Sequence, residues 1–193
     1  EFFNSAHMRV RSATPAEHVD AFILATDNYF PELEAVAADF LATGRTPDAA
    51  AEKLPAASRR FSAEATVAER PETRRFRLLK ESLQPVVAQH IQALIQNHAA
   101  LVSEESRTLA TSALAAYAAA AVLMPYEPFL EAAERWRYDL DALSRLFGVS
   151  YEQAAHRLAT LHRPGAEGVR FAFMRTDASG YVTKRLPLPR LSL

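Results

Sequence analysis

Histidine is the residue type in this chain best suited to hold a metal ion. The 193 residues include six His and no Cys, so iron–sulfur clusters, cysteine-ligated zinc, thiol nucleophiles and disulfides are excluded. A helix-borne metal pair needs His at positions i and i+4, because that spacing places both rings on one face. His90 and His98 are eight positions apart, and His156 and His162 are six apart. We therefore expect no metal site.

Motifs for covalent or phosphate chemistry are absent from the sequence. It contains no G-x-S-x-G turn, no phosphate loop with Gly-Lys-Ser/Thr and no dinucleotide fingerprint. The paired acids Glu104–Glu105 and Asp139 with Asp141 are expected on solvated helix faces. The residues therefore predict no catalytic group, no cofactor and no enzyme.

The carboxyl-terminal part of the chain is basic, although the net charge of the whole chain is -1. Only two acids lie between positions 157 and 190, against seven basic residues: Arg157, Arg163, Arg170, Arg175, Lys184, Arg185 and Arg190. This pattern is typical of a solvated basic face, of contacts to DNA phosphates, or of a site for a phosphorylated small ligand. For the ligand, we predict that Arg157, Arg163 and Arg170 bind the phosphate end.

Aromatic residues cluster in the same region. Those between positions 126 and 181 include Tyr126, Phe129, Trp136, Tyr138, Phe147, Phe171, Phe173 and Tyr181. These aromatic side chains could pack in the hydrophobic core, or they could line a pocket that is apolar inside and has arginine at its mouth. Such a pocket suits an acyl chain on a phosphorylated carrier such as coenzyme A. Tyr126, Phe129 and Tyr138 are the candidates for the acyl or adenine contacts.

The elements that would position these side chains are mostly helices. About a fifth of the residues are Ala and only five are Gly, which favours helix. The spacing predicts four helices in the first half of the chain. Two begin at Thr14–Pro15 and at Pro31, and two span Asp48–Leu54 and Glu72–Leu101. Pro85 predicts a kink or a break in the last of these near Gln84.

Turn and cap residues divide the second half of the chain. They predict a helix capped by Ser103 and ending at Met124–Pro125, a helix over Phe129–Phe147, a Gly148–Val149–Ser150 turn, and a last helix to His162. Alternating residues around a Gly-containing loop then predict a β-hairpin over 169–186. The fold class is therefore mainly α, a helical domain with a small β element that includes this carboxyl-terminal hairpin.

The chain divides by composition into three segments. Residues 1–8 resemble an expression-vector remnant, 9–54 an amino-terminal helical segment, and 55–193 the main domain. Within that domain, residues 139–162 follow the helix-turn-helix pattern, and the hairpin could act as a wing. The second helix of this pair starts with few Arg, Lys or Asn residues, which weakens a role in DNA reading.

Three blocks of sequence carry a family resemblance. They are Asn28–Leu33 (NYFPEL), the block from Leu123 to Asp139 that contains LMPY, and the block from Phe147 to Val169 that contains FGVSYEQ and RPGA. Together they resemble the bacterial short-chain fatty acyl-responsive transcriptional regulators, which include the propionate and acetate metabolism regulators of actinobacteria. The resemblance implies a middle domain similar to the ImmA/IrrE metallopeptidases. It also implies that the helix-turn-helix and the cysteine-bearing region of such regulators lie outside this chain.

The zinc motif of those peptidases can be compared residue by residue. The motif H-E-x-x-H would fall on Lys80, Glu81 and Gln84, so both His positions are changed, and we place the third ligand position at Ala121. An ammonium, an amide and a methyl group cannot replace three zinc ligands. The resemblance therefore implies a degenerate zinc-peptidase-like fold without peptidase chemistry.

The resemblance implies a cytoplasmic ligand-sensing and dimerisation domain. It would bind short-chain acyl-CoA as a homodimer and would act on DNA indirectly, through a separate amino-terminal helix-turn-helix. No apolar run approaches the roughly 18 residues of a membrane span, so no membrane contact is expected. Two alternatives stay open, a winged-helix DNA-binding module over 139–186 and a dimerisation scaffold without ligand.

Overall fold

The computed structural model describes residues 24, 28–44, 46, 70–96 and 98–180, and the backbone of 182–186. These residues form α1 (Pro31–Ala42), α2 (Pro71–Gln96), α3 (Glu104–Leu123), α4 (Tyr126–Arg135), α5 (Leu140–Phe147), α6 (Tyr151–Ala159), β1 (Phe173–Thr176) and β2 (Val182–Leu186). The predicted vector remnant, the helices near Thr14 and over Asp48–Leu54, and the loop between Pro55 and Pro71 lie outside the described residues.

The core is built around α3, which packs against both α1 and α2. Seven consecutive residues of α3, from Ala113 to Ala119, are buried, and five of them are alanines. Small side chains let neighbouring helices approach closely, and the larger apolar residues come from the partners. These are Leu33, Val36 and Phe40 on α1 and Leu79, Leu83, Val87, Ile91 and Ile95 on α2. Each such side chain contributes about 1.5–3 kcal/mol when fully buried.

The helix α2 runs without a break through Pro85. Of the kink or break that we predicted near Gln84, the break is therefore wrong. Proline removes one backbone hydrogen bond to the residue four positions earlier. The carbonyl freed here belongs to Glu81, which is only partly buried. The buried stripe on the opposite face continues across this point and holds the helix together. The helix ends at Gln96 rather than at Leu101.

The single helix that we predicted over Phe129–Phe147 is also wrong. The chain instead forms α4 and α5, which are separated by a turn in which Arg137 and Tyr138 have positive φ angles of 51° and 61°. The Asp139 side chain accepts a hydrogen bond from the backbone N–H of Ala142 at 3.0 Å and so caps α5. The left-handed backbone conformation is unfavourable for residues other than glycine. The sequence pattern did not indicate two consecutive residues in this conformation.

The turn between α5 and α6 agrees with the prediction. Gly148 ends α5 with φ 61°, and Ser150 caps α6 with a capping box. The Ser150 hydroxyl accepts from the Gln153 backbone N–H, and the Gln153 side chain accepts from the Ser150 backbone N–H. These reciprocal bonds satisfy two otherwise free backbone donors. The helix α6 ends at Ala159, three residues before the predicted His162.

The predicted hairpin is confirmed as an antiparallel pair of β1 and β2. Phe173 pairs with Leu186 at one end and Thr176 with Val182 at the other, with a register shift after Arg175. An isolated hairpin is marginally stable, and this hairpin packs against α6. The Phe173 ring lies 5.9 Å from the His156 ring, and Arg175 forms a 3.3 Å ion pair with Glu152.

Two tyrosines hold the connection between α6 and the hairpin against the core. Tyr126 donates a hydrogen bond to the carbonyl of Ala166 at 3.2 Å, and Tyr138 accepts one from the N–H of Val169 at 3.0 Å. We call residues 160–172 the strap. At Gly168 the strap comes so close to α4 that an added Cβ would lie 2.8 Å from Leu130 and 3.0 Å from the Tyr138 hydroxyl.

Replacing Gly168 by alanine is expected to destabilise the fold by roughly 2–4 kcal/mol, because left-handed strain and overpacking add. The matched control is Gly165→Ala in the same strap. Gly165 also has positive φ, but its added Cβ would meet nothing within 4 Å, so only the strain of about 1 kcal/mol is expected. Chemical denaturation of both variants gives the difference. Equal losses would contradict the close approach at Gly168.

Among the described residues, no single helix combines the length and the apolar character that crossing a bilayer requires; α3 and α4 pass that test only jointly, with a bend of 68° between them.

Candidate functional site

Tyr126 is the centre of the predicted ligand-binding set. The first residue of α4, it is only 2% exposed. Its hydroxyl accepts a hydrogen bond from the backbone N–H of Arg163 at 2.8 Å, and its ring meets Tyr29 edge-on at 5.7 Å. Burial raises the pKa of this phenol, so the hydroxyl stays protonated and can donate to the strap.

Arg163 lies over the face of Tyr126, with its guanidinium carbon 4.0 Å from the ring centroid and 5.4 Å from that of Tyr29. It also forms an ion pair with Glu127. The Arg163 side chain is 27% exposed, whereas that of Glu127 is 65% exposed. The hydrogen bond from Arg163 lowers the pKa of Glu127. The arrangement is a cation fixed on an aromatic surface, with a largely solvated carboxylate in front of it.

The buried position of Arg157 differs from the pocket mouth that we expected. Its side chain has no exposed surface and forms an ion pair with Glu34 of α1 at 2.9 Å. Its Nε donates to the carbonyl of Met124 at 3.0 Å, and its guanidinium lies 5.4 Å from the Tyr117 ring. Buried charges persist only when they are paired in this way. We call Glu34, Tyr117 and Arg157 the buried clasp, because they join α1, α3 and α6.

The other predicted residues make different contacts. Phe129 is fully buried and packs edge-on against Phe147 at 5.1 Å. Tyr138 is half-buried and lies 5.2 Å from Phe171. Arg170 is 51% exposed and lies 3.8 Å from Glu167. The structure thus brings Tyr126 against both Arg157 and Arg163, whereas the contacts of Phe129, Tyr138 and Arg170 are with other residues. Their ligand-binding roles stay predictions.

Three residues of this region were not among our predictions: Tyr29, Glu34 and Tyr117. Tyr117 donates a 2.7 Å hydrogen bond to Glu34, and Tyr29 lies on the Arg163 side of Tyr126. Glu34 and its partner Arg157 are 123 positions apart. Local spacing carries no information on such a pair, although Tyr29 lies in the NYFPEL block that marks the resemblance.

The site of the lost zinc motif lies where α2 packs on α3. Lys80 donates a 2.8 Å hydrogen bond to the Ser112 hydroxyl, and desolvation lowers the pKa of this ammonium, an effect that the nearby Glu81 carboxylate opposes. Ala121 lies nine residues beyond Ser112, which is about 13 Å along a helix. The expectation that Ala121 shares a site with Lys80 and Gln84 is therefore wrong, since Ser112 faces Lys80.

The groups at this position do not suit zinc. An ammonium, an exposed amide and a hydroxyl replace the imidazole and carboxylate ligands that zinc takes. Elsewhere in the part of the chain that the structure describes, no three His, Cys, Asp or Glu side chains are grouped as a metal site. We therefore derive no metal-dependent step.

The helix pair α5–α6 has the sequence pattern of a DNA-binding unit but buries the helix that would read DNA. Six of the nine residues of α6 are buried: Gln153, Ala154, His156, Arg157, Leu158 and Ala159. A recognition helix must expose a face to the major groove. The residues of α6 that are not buried are Tyr151 and, less exposed, Glu152 and Ala155, and none of them is a cation.

Comparison with known proteins identifies the class of this fold. The family model of the IrrE N-terminal-like domain, a peptidase-related family, matches residues 66–159. This range contains α2 to α6 and ends with the last residue of α6. The predicted fold class, mainly helical and zinc-peptidase-like with a small β element, is confirmed.

The relatives are transcriptional regulators. The chain is 57% identical over 81 residues to a propionyl-CoA carboxylase regulator of Cereibacter sphaeroides, covering 42% of this chain and 18% of the relative. It is 53% identical over 83 residues to the HTH-type transcriptional regulator RamB and 50% identical over 84 residues to the HTH-type transcriptional regulator PrpR, both of Mycobacterium tuberculosis. These matches cover 43% and 44% of this chain, and 18% and 17% of the relatives.

A solved structure gives the same result. A Mycobacterium tuberculosis transcriptional regulator matches with a TM-score of 0.73 and 31% identity, covering 89% of this chain and 60% of that chain. The matches thus span less than a fifth of the curated relatives and three fifths of the solved chain. The resemblance to this group of regulators is confirmed, and the chain shares its fold with the solved regulator.

Proposed function

We propose that this chain is the ligand-sensing and dimerisation domain of a bacterial transcriptional regulator and that it binds short-chain acyl-CoA in the cytoplasm. One relative is named for propionyl-CoA carboxylase, which supports a ligand of the acyl-CoA class. DNA would be bound by a separate helix-turn-helix. A ligand that binds one arrangement of the dimer more tightly would shift the population of DNA-binding states.

The observation that carries the proposal is the position of Arg163. Its guanidinium is held on the Tyr126 ring, and the side chain as a whole is still 27% exposed. A phosphate could replace the Glu127 carboxylate and form the charge-assisted, two-pronged contact that arginine favours. Arg170, on the same strap and half exposed, would extend this phosphate surface.

The buried clasp gives the site a connection to the rest of the domain. Tyr126 contacts the Arg163 guanidinium on one side and lies 5.5 Å from the buried Arg157 on the other. Arg157 in turn holds Glu34 on α1. A ligand that moves Arg163 would change the charge next to this network. In this proposal Arg157 supports the site from within the core and does not touch the phosphate.

The changed motif at Lys80 supports a binding role rather than a hydrolytic one. The Lys80 ammonium donates to the Ser112 hydroxyl there. A zinc-dependent hydrolase would need imidazole and carboxylate ligands at this place, and neither side chain is one. The regulators among the relatives also favour a domain without catalytic activity.

Calorimetric titration with acetyl-CoA, propionyl-CoA and free CoA tests the proposal. We expect binding that depends on the acyl group. Arg163→Ala should weaken it by about tenfold or more, because a hydrogen bond to a charged group is worth about 1.5–3 kcal/mol. Glu127→Gln should strengthen it, because the competing carboxylate is removed. The control is Arg135→Ala, at an exposed arginine at the end of α4.

Each alternative has its own outcome in these experiments. No heat and no thermal shift with any of the three compounds would favour the ligand-free dimerisation scaffold. If acyl-CoA affinity is unchanged in Arg163→Ala, the proposed position of the site is wrong, although the domain would still be a ligand sensor. A gel shift that weakens steeply with salt would favour the winged-helix module, which the burial of α6 argues against.

A further inference from the structure

The two halves of α2 differ in charge. Residues 71–83 contain six charged residues: Glu72, Arg74, Arg75, Arg77, Lys80 and Glu81. Residues 84–96 contain none at neutral pH, counting His90 as neutral. A solvent-facing helix ordinarily places charged residues opposite its apolar stripe. The second half of α2 therefore has an unusual surface.

This surface is well exposed. Val87, Ile91 and Ile95 face the core, and all the exposed residues of the segment are uncharged: Gln84, Pro85, Val86, Ala88, Gln89, His90, Gln92, Ala93 and Gln96. We call these nine residues the neutral strip. Val86 is 47% exposed, and Val102, which follows the turn after α2, is 73% exposed. Among the described elements, α2 packs on α1 and α3 through its other face.

We propose that the neutral strip is the surface through which two copies of this chain dimerise. In a two-fold symmetric dimer the same patch meets itself, so a charged residue near the axis faces its own copy and is repelled. A glutamine amide both donates and accepts hydrogen bonds, so Gln89, Gln92 and Gln96 can each pair with a symmetry mate. Depletion of charge is also the mark of an interface centre.

The geometry of α2 suits this role. Gln89, Gln92 and Gln96 lie three and four positions apart and therefore on one helix face, and the strip is about 20 Å long. A stable interface buries about 800 Å² on each partner, which is more than one helix face supplies. We place the neutral strip at the centre of the dimer interface and the turn with Val102 at the edge of that interface.

Sedimentation over a wide range of protein concentration tests this surface. We expect a dimer for the unaltered chain. Gln89→Arg combined with Gln92→Arg should raise the dimer dissociation constant by about a hundredfold or more, because like charges would face each other across the axis. Met174→Arg is the control, since Met174 is 60% exposed and apolar but lies on the hairpin. It should leave the dimer unchanged.

A charge-swap experiment separates contact from misfolding. The Gln89→Glu, Gln92→Glu chain should be monomeric alone, and mixing it with the arginine chain should restore a mixed dimer. A monomeric unaltered chain, or a dimer that survives both arginine substitutions, would overturn the proposal. The inference rests on the dimerisation part of the proposed function. Calorimetry with propionyl-CoA on the monomeric variant shows separately whether ligand binding holds.

Discussion

Replacing Arg157 by methionine is expected to lower the free energy of unfolding by about 3–5 kcal/mol, because Glu34 would be left as an uncompensated, largely buried charge. The carbonyl of Met124 would also lose the hydrogen bond from Arg157. For a chain of this length the loss corresponds to a fall in Tm of roughly 6–20 °C. Thermal and chemical denaturation measure it, with the exposed Arg135→Ala as control.

A double-mutant cycle identifies the pair as the cause. Glu34→Gln removes the carboxylate charge but keeps an acceptor for the Tyr117 hydroxyl. The combined variant should be about 1–3 kcal/mol more stable than the sum of the single effects predicts. Additive losses would mean that Arg157 acts through its volume rather than through its ion pair.

Truncating Phe129 to alanine is the second large effect, with an expected loss of about 3–5 kcal/mol. The ring is fully buried and packs edge-on against Phe147, so its removal leaves a cavity between α4 and α5. Urea or guanidinium unfolding measures the loss. Leu146→Ala, at a residue that is 59% exposed on the neighbouring helix, should stay within about 0.5 kcal/mol of the unaltered chain.

Phe129 was also predicted to contact the acyl or adenine group, and a milder variant tests that role. Phe129→Leu keeps most of the packed volume and should cost less stability than alanine. If Phe129 serves only the core, propionyl-CoA affinity should be unchanged in this variant. A weakened affinity together with a normal unfolding midpoint would assign Phe129 to the ligand and contradict a purely structural role.

The parts of the fold that follow from short-range chemistry were predictable from the sequence. Ser103 and Ser150 cap the helices that they were predicted to cap, and Gly148 ends α5 in the left-handed conformation. These features depend on a few neighbouring residues and on side chains that bond to nearby backbone groups. The hairpin followed from alternation around a turn in the same way.

The errors occurred where tertiary packing overrides a local signal. Pro85 predicted a kink or a break, but the helix continues past it because the buried stripe of α2 does so too. The segment around Arg137 and Tyr138 has a helical pattern, yet the Tyr138 hydroxyl holds the strap and the backbone turns left-handed there. In both places a local preference worth a few kcal/mol is outweighed by packing.

The site was less predictable than the fold, because its partners are far apart in sequence. The structure places Arg163 over the Tyr126 ring, a contact that the sequence did not predict, and nothing in the local pattern joins Arg157 to Glu34. We assigned the third ligand position to Ala121, whereas the packing of α2 on α3 places Ser112 next to Lys80. Such assignments require the relative register of two helices, which one sequence does not contain.

The separation of 123 positions between Glu34 and Arg157 also sets an order of events during synthesis. A chain leaves the ribosome from its amino terminus, so Glu34 emerges long before its partner has been made. The neighbouring helices α2 and α3 can pack first, through contacts that are closer in sequence and therefore faster to form. The ion pair of Glu34 with Arg157 can therefore form only after α6 has been made, whereas the hydrogen bond from Tyr117 to Glu34 needs only α1 and α3.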